Sequence, residues 1–261
     1  MTLMTYLGET YGEKTADLYD TLYEDFAPPP GQLELLASLS GAGPVVEVGA
    51  GTGRIAVPLA EKGISVIAVD ASPEMTAQLE QKSRNLPIVP ITADAADYVA
   101  PEPVPLLFAV FNTFFLLAQE DIQRAFLRNA VRTLRPDGVM VLETFAPRPG
   151  QRLPDGPHPG VFPVDKDLVL KRQFDDAVLL FSAERHAARG EFHYREVLIR
   201  DGQPSRVLPG KMRYWEPEDI DALAKDAGLT LKERRADWDG GPYRPGVSAK
   251  HVSLYTPALS R

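Results

Sequence analysis

The segment richest in potential chemistry is Val45-Val46-Glu47-Val48-Gly49-Ala50-Gly51-Thr52-Gly53-Arg54. A short apolar run enters a glycine turn and then helix-forming residues. Glycine lets the backbone turn sharply and lets a ligand approach closely. The helix N-terminus that follows offers unpaired N–H groups to an acceptor. A dinucleotide fingerprint would need a third glycine where Arg54 stands, so the turn alone is not decisive. Its context adds more. Ile67-Ala68-Val69-Asp70 ends the next apolar run in a carboxylate, 21 residues after Gly49. At a strand's C-terminal end an acid faces the ligand crevice and can accept from both hydroxyls of a ribose. Ser72 competes with Asp70 for the other role open to such an acid, capping the following helix. Ala93-Asp94-Ala95-Ala96 places an acid among small residues, suited to the edge of an adenine ring, and Phe111-Asn112-Thr113-Phe114-Phe115 closes a fourth apolar run. Acids and a glycine turn at successive strand ends point to an adenosine-bearing ligand.

The elements that must position these residues follow from periodicity. Apolar runs at 44–48, 64–69, 88–92, 106–111 and 139–144 read as buried strands. Helical spacing covers 11–26, 32–39, 55–62 and 119–134, and Ser72-Pro73-Glu74 starts a further helix with a cap and a first-turn proline. Strands alternating with helices imply a parallel sheet covered on both faces. The pattern changes after Phe145. Residues 146–163 read as a Pro/Gly-rich loop, and 168–174, 177–187, 191–200 and 206–215 as antiparallel strands. Arg189-Gly190 and Asp201-Gly202 stand where hairpin turns belong. A helix over 216–227 and strands over 229–235 and 247–256 complete the chain.

Candidate bases are few. His186 and His193 lie on successive strands across a tight turn, His158 lies in the loop, His251 in the last strand, and Glu143 ends the fifth strand, either pointing at the crevice or only accepting hydrogen bonds in the core. Histidine titrates near neutrality, which suits proton transfer. Tyr194, Tyr214 and Trp215 are candidate walls of a substrate pocket, joined by Tyr23 and Phe114. The spacing His193-x-x-Glu196 puts its two members on opposite faces of a strand, so no metal site is expected.

The ordered motifs resemble the class I S-adenosylmethionine-dependent methyltransferases. EVGAGTGR at 47–54 is similar to their first motif, VIAVDAS at 66–72 to the acidic second, TADAADY at 92–98 to the third, LLFAVFNTFF at 106–115 to the fourth, and LRPDGVMVLETF at 134–145 to the turn and fifth strand. The resemblance covers roughly 10–145 and 215–257. It implies a Rossmann-like, doubly wound α/β sheet of seven strands with an antiparallel last strand. To this the chain would add an N-terminal helical cover (1–40) and an antiparallel β insertion (146–215) within a single domain of 1–261. S-adenosylmethionine is the implied cofactor. Glu47, Gly49, Ala50, Gly51, Asp70, Ala71, Met75, Asp94, Ala95, Phe111 and Asn112 are its expected contacts. Tyr19-Asp20…Tyr23 and the insertion look like the group of deoxysugar and glycine/sarcosine N-methyltransferases, in which an N-terminal tyrosine closes over the cofactor. That likeness puts Tyr11 or Tyr19 on the site. The implied reaction is methyl transfer to nitrogen or oxygen, rather than carbon, of a small molecule in secondary metabolism. The alternative is a methyltransferase-like cyclase that keeps the cofactor as a structural part. The insertion is expected to be a substrate wall or, alternatively, the interface of a homodimer.

Composition sets outer bounds. Lys and Arg number 28 against 36 Asp and Glu, a net charge of −8, which argues against nucleic-acid and anionic-membrane partners. With no cysteine, disulfides, thiolate metal sites and Cys nucleophiles are excluded. That absence fits a reducing compartment, so a cytoplasmic location is expected. The N-terminal residues lack the charged and apolar regions of a secretory signal. The most apolar stretch, 104–118, contains Asn112 and Thr113 and is too short to span a bilayer.

Overall fold

The computed structural model describes residues 7–23, 27–146 and 168–258, and the side chains of its first helix from residue 15 onward. Helices α1 (Leu7–Leu22) and α2 (Gln32–Leu39) precede an alternating series: β1 (Val45–Val48), α3 (Ala56–Glu61), β2 (Val66–Asp70), α4 (Pro73–Lys82), β3 (Ile88–Thr92), β4 (Val104–Ala109), α5 (Thr113–Leu116), α6 (Glu120–Thr133) and β5 (Leu134–Phe145). The inserted strands are β6 (Val169–Gln173), β7 (Ala177–His186), β8 (Glu191–Arg200) and β9 (Arg206–Arg213). Helix α7 (Pro217–Ala227) and strands β10 (Leu229–Arg235) and β11 (Lys250–Pro257) return to the main sheet.

That sheet has seven strands in the order β10-β11-β5-β4-β1-β2-β3. Strands β1 to β5 run parallel, and β11 pairs antiparallel with both β5 and β10. Its central strands are buried on both faces, so β1 apart from Glu47, most of β4 and residues 139–142 of β5 are apolar runs, whereas the edge strand β10 carries charged, partly exposed residues. Val45, Leu106 and Val141 pack on one face, and Val46, Leu107 and Met140 on the other. Local signals fix the ends of elements. The Ser72 hydroxyl accepts from the Met75 N–H at 3.2 Å with Pro73 in the first turn of α4, and left-handed Gly228 ends α7.

Two expectations for this sheet need correcting. Strand β4 stops at Ala109, because Phe111 (φ 56°) and Asn112 (φ 65°) enter the left-handed region and start α5. Strand β5 begins at Leu134, so residues 136–138 lie within it rather than in a separate turn.

The second sheet is antiparallel, in the order β6-β7-β8-β9. Gly190 (φ 60°) and Gly202 (φ 69°) supply the left-handed residues at its turns. Along β8, Phe192, Tyr194, Glu196 and Leu198 are buried while His193 and Arg195 are exposed, so one face is covered. One end of that face meets the main domain through an aromatic chain: Phe115–Phe145 (4.9 Å between ring centres), Phe145–Phe192 (5.4 Å) and Phe192–Tyr214 (4.8 Å). The other end packs under α1, where Leu18 and Leu22 meet Leu179, Leu198 and Leu208.

Helix α1 thus bridges the two sheets. Asp17 pairs with Arg206 of β9 at 2.7 Å. Asp20 accepts from the Thr52 hydroxyl at 2.6 Å and pairs with Lys82. The Ala16 carbonyl accepts from Gln78 Nε2 at 2.6 Å. Among the described residues no helix is long and apolar enough to cross a membrane.

Candidate active site

The three glycines of the turn after β1 serve different ends. All have positive φ: 76° at Gly49, 55° at Gly51 and 96° at Gly53. A Cβ on Gly49 would sit 2.4 Å from Thr113 Cγ2, and one on Gly53 would sit 2.5 Å from Leu79 Cδ1. Both positions are closed by packing. A Cβ on Gly51 would meet only Tyr19 Cε1, at 4.0 Å. Its open side is where something other than protein can approach.

Asp70, ending β2, fixes this turn. Its Oδ2 accepts from the Gly51 N–H at 2.8 Å and its Oδ1 from the Ser72 N–H at 2.9 Å. Burial holds its carboxyl above the usual range against these bonds. Glu47 lies deeper, 2% exposed. Burial pushes its pKa up to about 8, opposed by the Arg54 guanidinium, reinforced by Asp70 and eased by the Ala56 N–H. Its Oε2 is buried without a partner.

These groups open onto a solvent-connected cleft that draws on several parts of the chain. Glu47, Gly49, Ala50, Gly51, Arg54, Asp70 and Phe111 come from the strand ends and the turns after them, Met75 from α4, Tyr19 from α1, and Tyr194, Gly210 and Lys211 from the inserted sheet. The rings at the mouth form a series. Tyr19 and Tyr23 are 4.7 Å apart, Tyr23 meets Phe111 edge-on at 5.9 Å, and Arg54 stacks on Phe111 at 4.6 Å. Gly210 is what allows Tyr194 its place, since a Cβ there would fall 2.0 Å from Tyr194 Cζ.

Of the residues expected on the cofactor, the structure brings Tyr19, Glu47, Gly49, Ala50, Gly51, Asp70, Met75 and Phe111 to one cleft. Ala71, Asp94, Ala95 and Asn112 are not among its lining. Asp94 caps its own turn, accepting from the Ala96 N–H at 2.8 Å. Asn112 is buried and accepts from the Phe145 N–H at 2.7 Å. The side chain of Tyr11 and the whole of His158 lie outside the described residues.

The expected bases are placed elsewhere. Glu143 does not face the cleft as a base. Its Oε2 accepts from the Phe111 N–H at 3.0 Å, and its Oε1 accepts from the Trp238 indole at 3.0 Å and from Lys250 at 3.1 Å. With both oxygens committed, it holds the strained pair Phe111–Asn112 that shapes the cleft wall. His193 is exposed on the outward face of β8, 3.0 Å from Glu191, with the His186 ring 4.5 Å away; neither histidine lines the cleft. His251 is buried between Thr144 (2.9 Å) and Ser253 (2.8 Å), and burial pushes its pKa down to about 3.

Three of the five expected substrate residues are structural. Phe114 is fully buried beside Phe115 and Phe126. The Tyr214 hydroxyl accepts from Arg185 at 2.7 Å, and the Trp215 indole donates to Gln123 at 2.6 Å. Tyr194 lines the cleft, and Tyr23 is not among its lining but packs against two rings that are, Tyr19 and Phe111. Sequence reasoning missed Arg54, Thr113 and Lys211, which also line the cleft, and gave Glu196 no role beyond discounting it as a metal ligand.

Comparison with known proteins agrees with this geometry. Residues 45–138 match the methyltransferase domain family. The cypemycin N-terminal methyltransferase of a Streptomyces species is 30% identical over 89% of this chain and 92% of its own length. The CcbJ methyltransferase from Streptomyces caelestis is 33% identical and superposes with a TM-score of 0.84, covering 97% of this chain and 99% of its own. An S-adenosylmethionine-dependent methyltransferase from Clostridium acetobutylicum shares the fold at 15% identity, with a TM-score of 0.76 over 94% and 98% of the two chains. The chain belongs to the class I S-adenosylmethionine-dependent methyltransferases. It is an enzyme, and S-adenosylmethionine is its methyl donor. The residues present fit that donor: the open side of Gly51 leaves room for it, and Glu47 offers an unpartnered buried oxygen.

Proposed function

We propose that the enzyme methylates an amine nitrogen of a small molecule, in secondary metabolism, with the acceptor held between the glycine turn and the inserted sheet. The observation that carries this reading is the shared cleft, in which Gly51 and Asp70 face Tyr194 and Gly210 across one space. The 30% identical relative is by name an N-terminal methyltransferase, which supports nitrogen.

Bound at the turn, S-adenosylmethionine supplies a methyl group already activated on positively charged sulfur. Asp70 would accept from the ribose hydroxyls through its remaining lone pairs, and the backbone at Gly49–Gly51 would lie along the amino-acid part. Tyr19, fixed on α1 by the Asp20 contacts, would close over the donor. Proximity and alignment then dominate the rate. An alcohol acceptor would also need a positioned base; among the described residues no histidine lines the cleft, and its carboxylates, Glu47 and Asp70, sit at the glycine turn on the donor side. A neutral amine brings its own lone pair. The wall of Tyr19, Tyr194 and Phe111 excludes water from the transfer path.

Two matched pairs test the reading: L-alaninamide with L-lactamide, and D-glucosamine with D-glucose, each with methyl-labelled donor. Label transferred to nitrogen, with S-adenosylhomocysteine released, is expected. Methylation of the hydroxyl member with its amine counterpart untouched would overturn the assignment to nitrogen.

A further inference from the structure

We infer that Glu196 is the anchor for the acceptor's amine, a carboxylate set behind the cleft wall to receive its N–H donors; the nitrogen takes the methyl as the neutral amine, its ammonium proton having passed to solvent. This rests on the amine reading above and names the group that would select it.

Glu196 follows Tyr194 by one position on the inward face of β8, about 7 Å along a strand of ordinary rise, and Tyr194 lines the cleft. Its strand neighbours are Phe181 on β7 and Leu208 on β9, so it interrupts an apolar row. It is 2% exposed. One carboxylate oxygen is bound by Lys171 Nζ. The other, Oε2, is buried with no hydrogen-bond partner. An unsatisfied charged oxygen in such a place is costly, and an ion pair in an apolar row can often be replaced by hydrophobic residues without loss of stability. The fold alone gives little reason to keep it.

The surroundings say which ligand would satisfy it. Lys171 reaches the site from β6, where a break in register between Leu170 and Arg172 marks its position. Its ammonium lies 5.1 Å from the centre of the Tyr23 ring, 5.6 Å from that of Phe181 and 3.4 Å from the Tyr23 hydroxyl. The protein's own ammonium thus sits between two aromatic rings and a carboxylate, an environment that attracts organic cations. Lys171 joins Tyr23 to Glu196, the Tyr19 and Tyr23 rings lie 4.7 Å apart, and Tyr194 stacks on Phe181 at 5.9 Å, so these groups form one cluster. A small amine entering past Tyr194 would meet the second oxygen of Glu196 and the tyrosine faces. The methyl-accepting nitrogen would then be held on the insertion side of the cleft, opposite Gly51.

The test uses S-adenosylhomocysteine-loaded enzyme titrated calorimetrically with L-alaninamide and L-lactamide. The wild type is expected to bind the amine at least about 5-fold more tightly. Glu196→Gln, which keeps size and removes charge, is expected to abolish that preference while S-adenosylhomocysteine affinity stays within about 2-fold. The double change Lys171→Met with Glu196→Gln leaves no buried charge. If Glu196 serves only to neutralise Lys171, the double variant regains the amine preference; as an anchor, it does not. The double variant also carries the test should the single one fail to fold. No preference in the wild type, or a preference retained in either variant, overturns the inference. Methylation on nitrogen would stand or fall separately, in the labelled-donor assay.

Discussion

At the ends of β1 and β2 the cleft is lined largely by backbone and short side chains: Gly49, Ala50, Gly51 and the Asp70 carboxylate that grips the Gly51 N–H. Across from them β8 and β9 line it with Tyr194 and Lys211, long side chains rising from a sheet that rests on α1 at one end and on an aromatic chain at the other. The first region is positioned by chain geometry within a few residues. The second is positioned by what packs behind it, from as far away as Leu18 and Phe145. On the proposed reading the first, the rigid half, holds the donor, and the second can change its lining without disturbing donor binding.

The most severe way to break the rigid half is Gly51→Val. A branched side chain would enter the cleft from a residue at φ 55°, a conformation such residues avoid. S-adenosylhomocysteine affinity is expected to fall at least about 1,000-fold, or ~4 kcal/mol, with circular dichroism unchanged because only Tyr19 approaches that position. Retained binding would place the donor elsewhere.

An effect of similar size belongs to Glu47. Its carboxyl moves from an ordinary 4.5 to about 8 on folding, so between those values the native state binds more protons than the unfolded chain. Stability of the donor-free enzyme should therefore be greatest at the acid end and fall as pH rises from about 4.5 to 8, by on the order of 4 kcal/mol from this group. Urea unfolding across that window checks it. Glu47→Gln should flatten the slope, and an equally steep profile in the variant would mean that another group carries it.

Glu143→Ala probes the support behind the rigid half. It strips partners from the Phe111 N–H, the Trp238 indole and Lys250. Lys250 keeps its pair with Asp237 at 2.9 Å, so the cost is that of leaving the Phe111 N–H and the buried Trp238 indole without an acceptor, about 2 kcal/mol, measurable by urea unfolding, and the left-handed turn at Phe111 should loosen. A variant as stable as the wild type would show that the network is incidental.

Smallest are the changes on the outward face of the insertion. His186→Ala and His193→Ala should leave turnover and donor affinity within about 2-fold, since neither histidine lines the cleft and they contact Glu191 and each other. A tenfold loss of kcat in either would return a histidine to the site.

The difference between the halves also explains what the sequence disclosed. The turn after Val48, Asp70 at a strand end and the Ser72 cap are local patterns, and they appear where the order of residues places them. The inserted strands were legible from alternation and from Gly190 and Gly202. Which of their residues face the cleft was not. Tyr194, Tyr214 and Trp215 look alike in sequence, and only the packing of Phe145 and Gln123 draws the last two away. Glu143 ends a strand beside the crevice, yet its neighbours in space are Trp238 and Lys250, about a hundred residues on. Glu196 did leave a trace: a lone carboxylate in the inward series Phe192, Tyr194, Leu198.

The central claim is that donor and acceptor are held by separable halves of one cleft. Calorimetric titration of S-adenosylhomocysteine into wild type, Asp70→Ala and Tyr194→Phe tests it most directly. Loss of a hydrogen bond to a charged group, about 1.5–3 kcal/mol, should weaken binding about 10- to 100-fold in Asp70→Ala, with Tyr194→Phe within about 2-fold of wild type. Equal affinity of Asp70→Ala and wild type, or a loss in Tyr194→Phe as large as that in Asp70→Ala, would contradict the account.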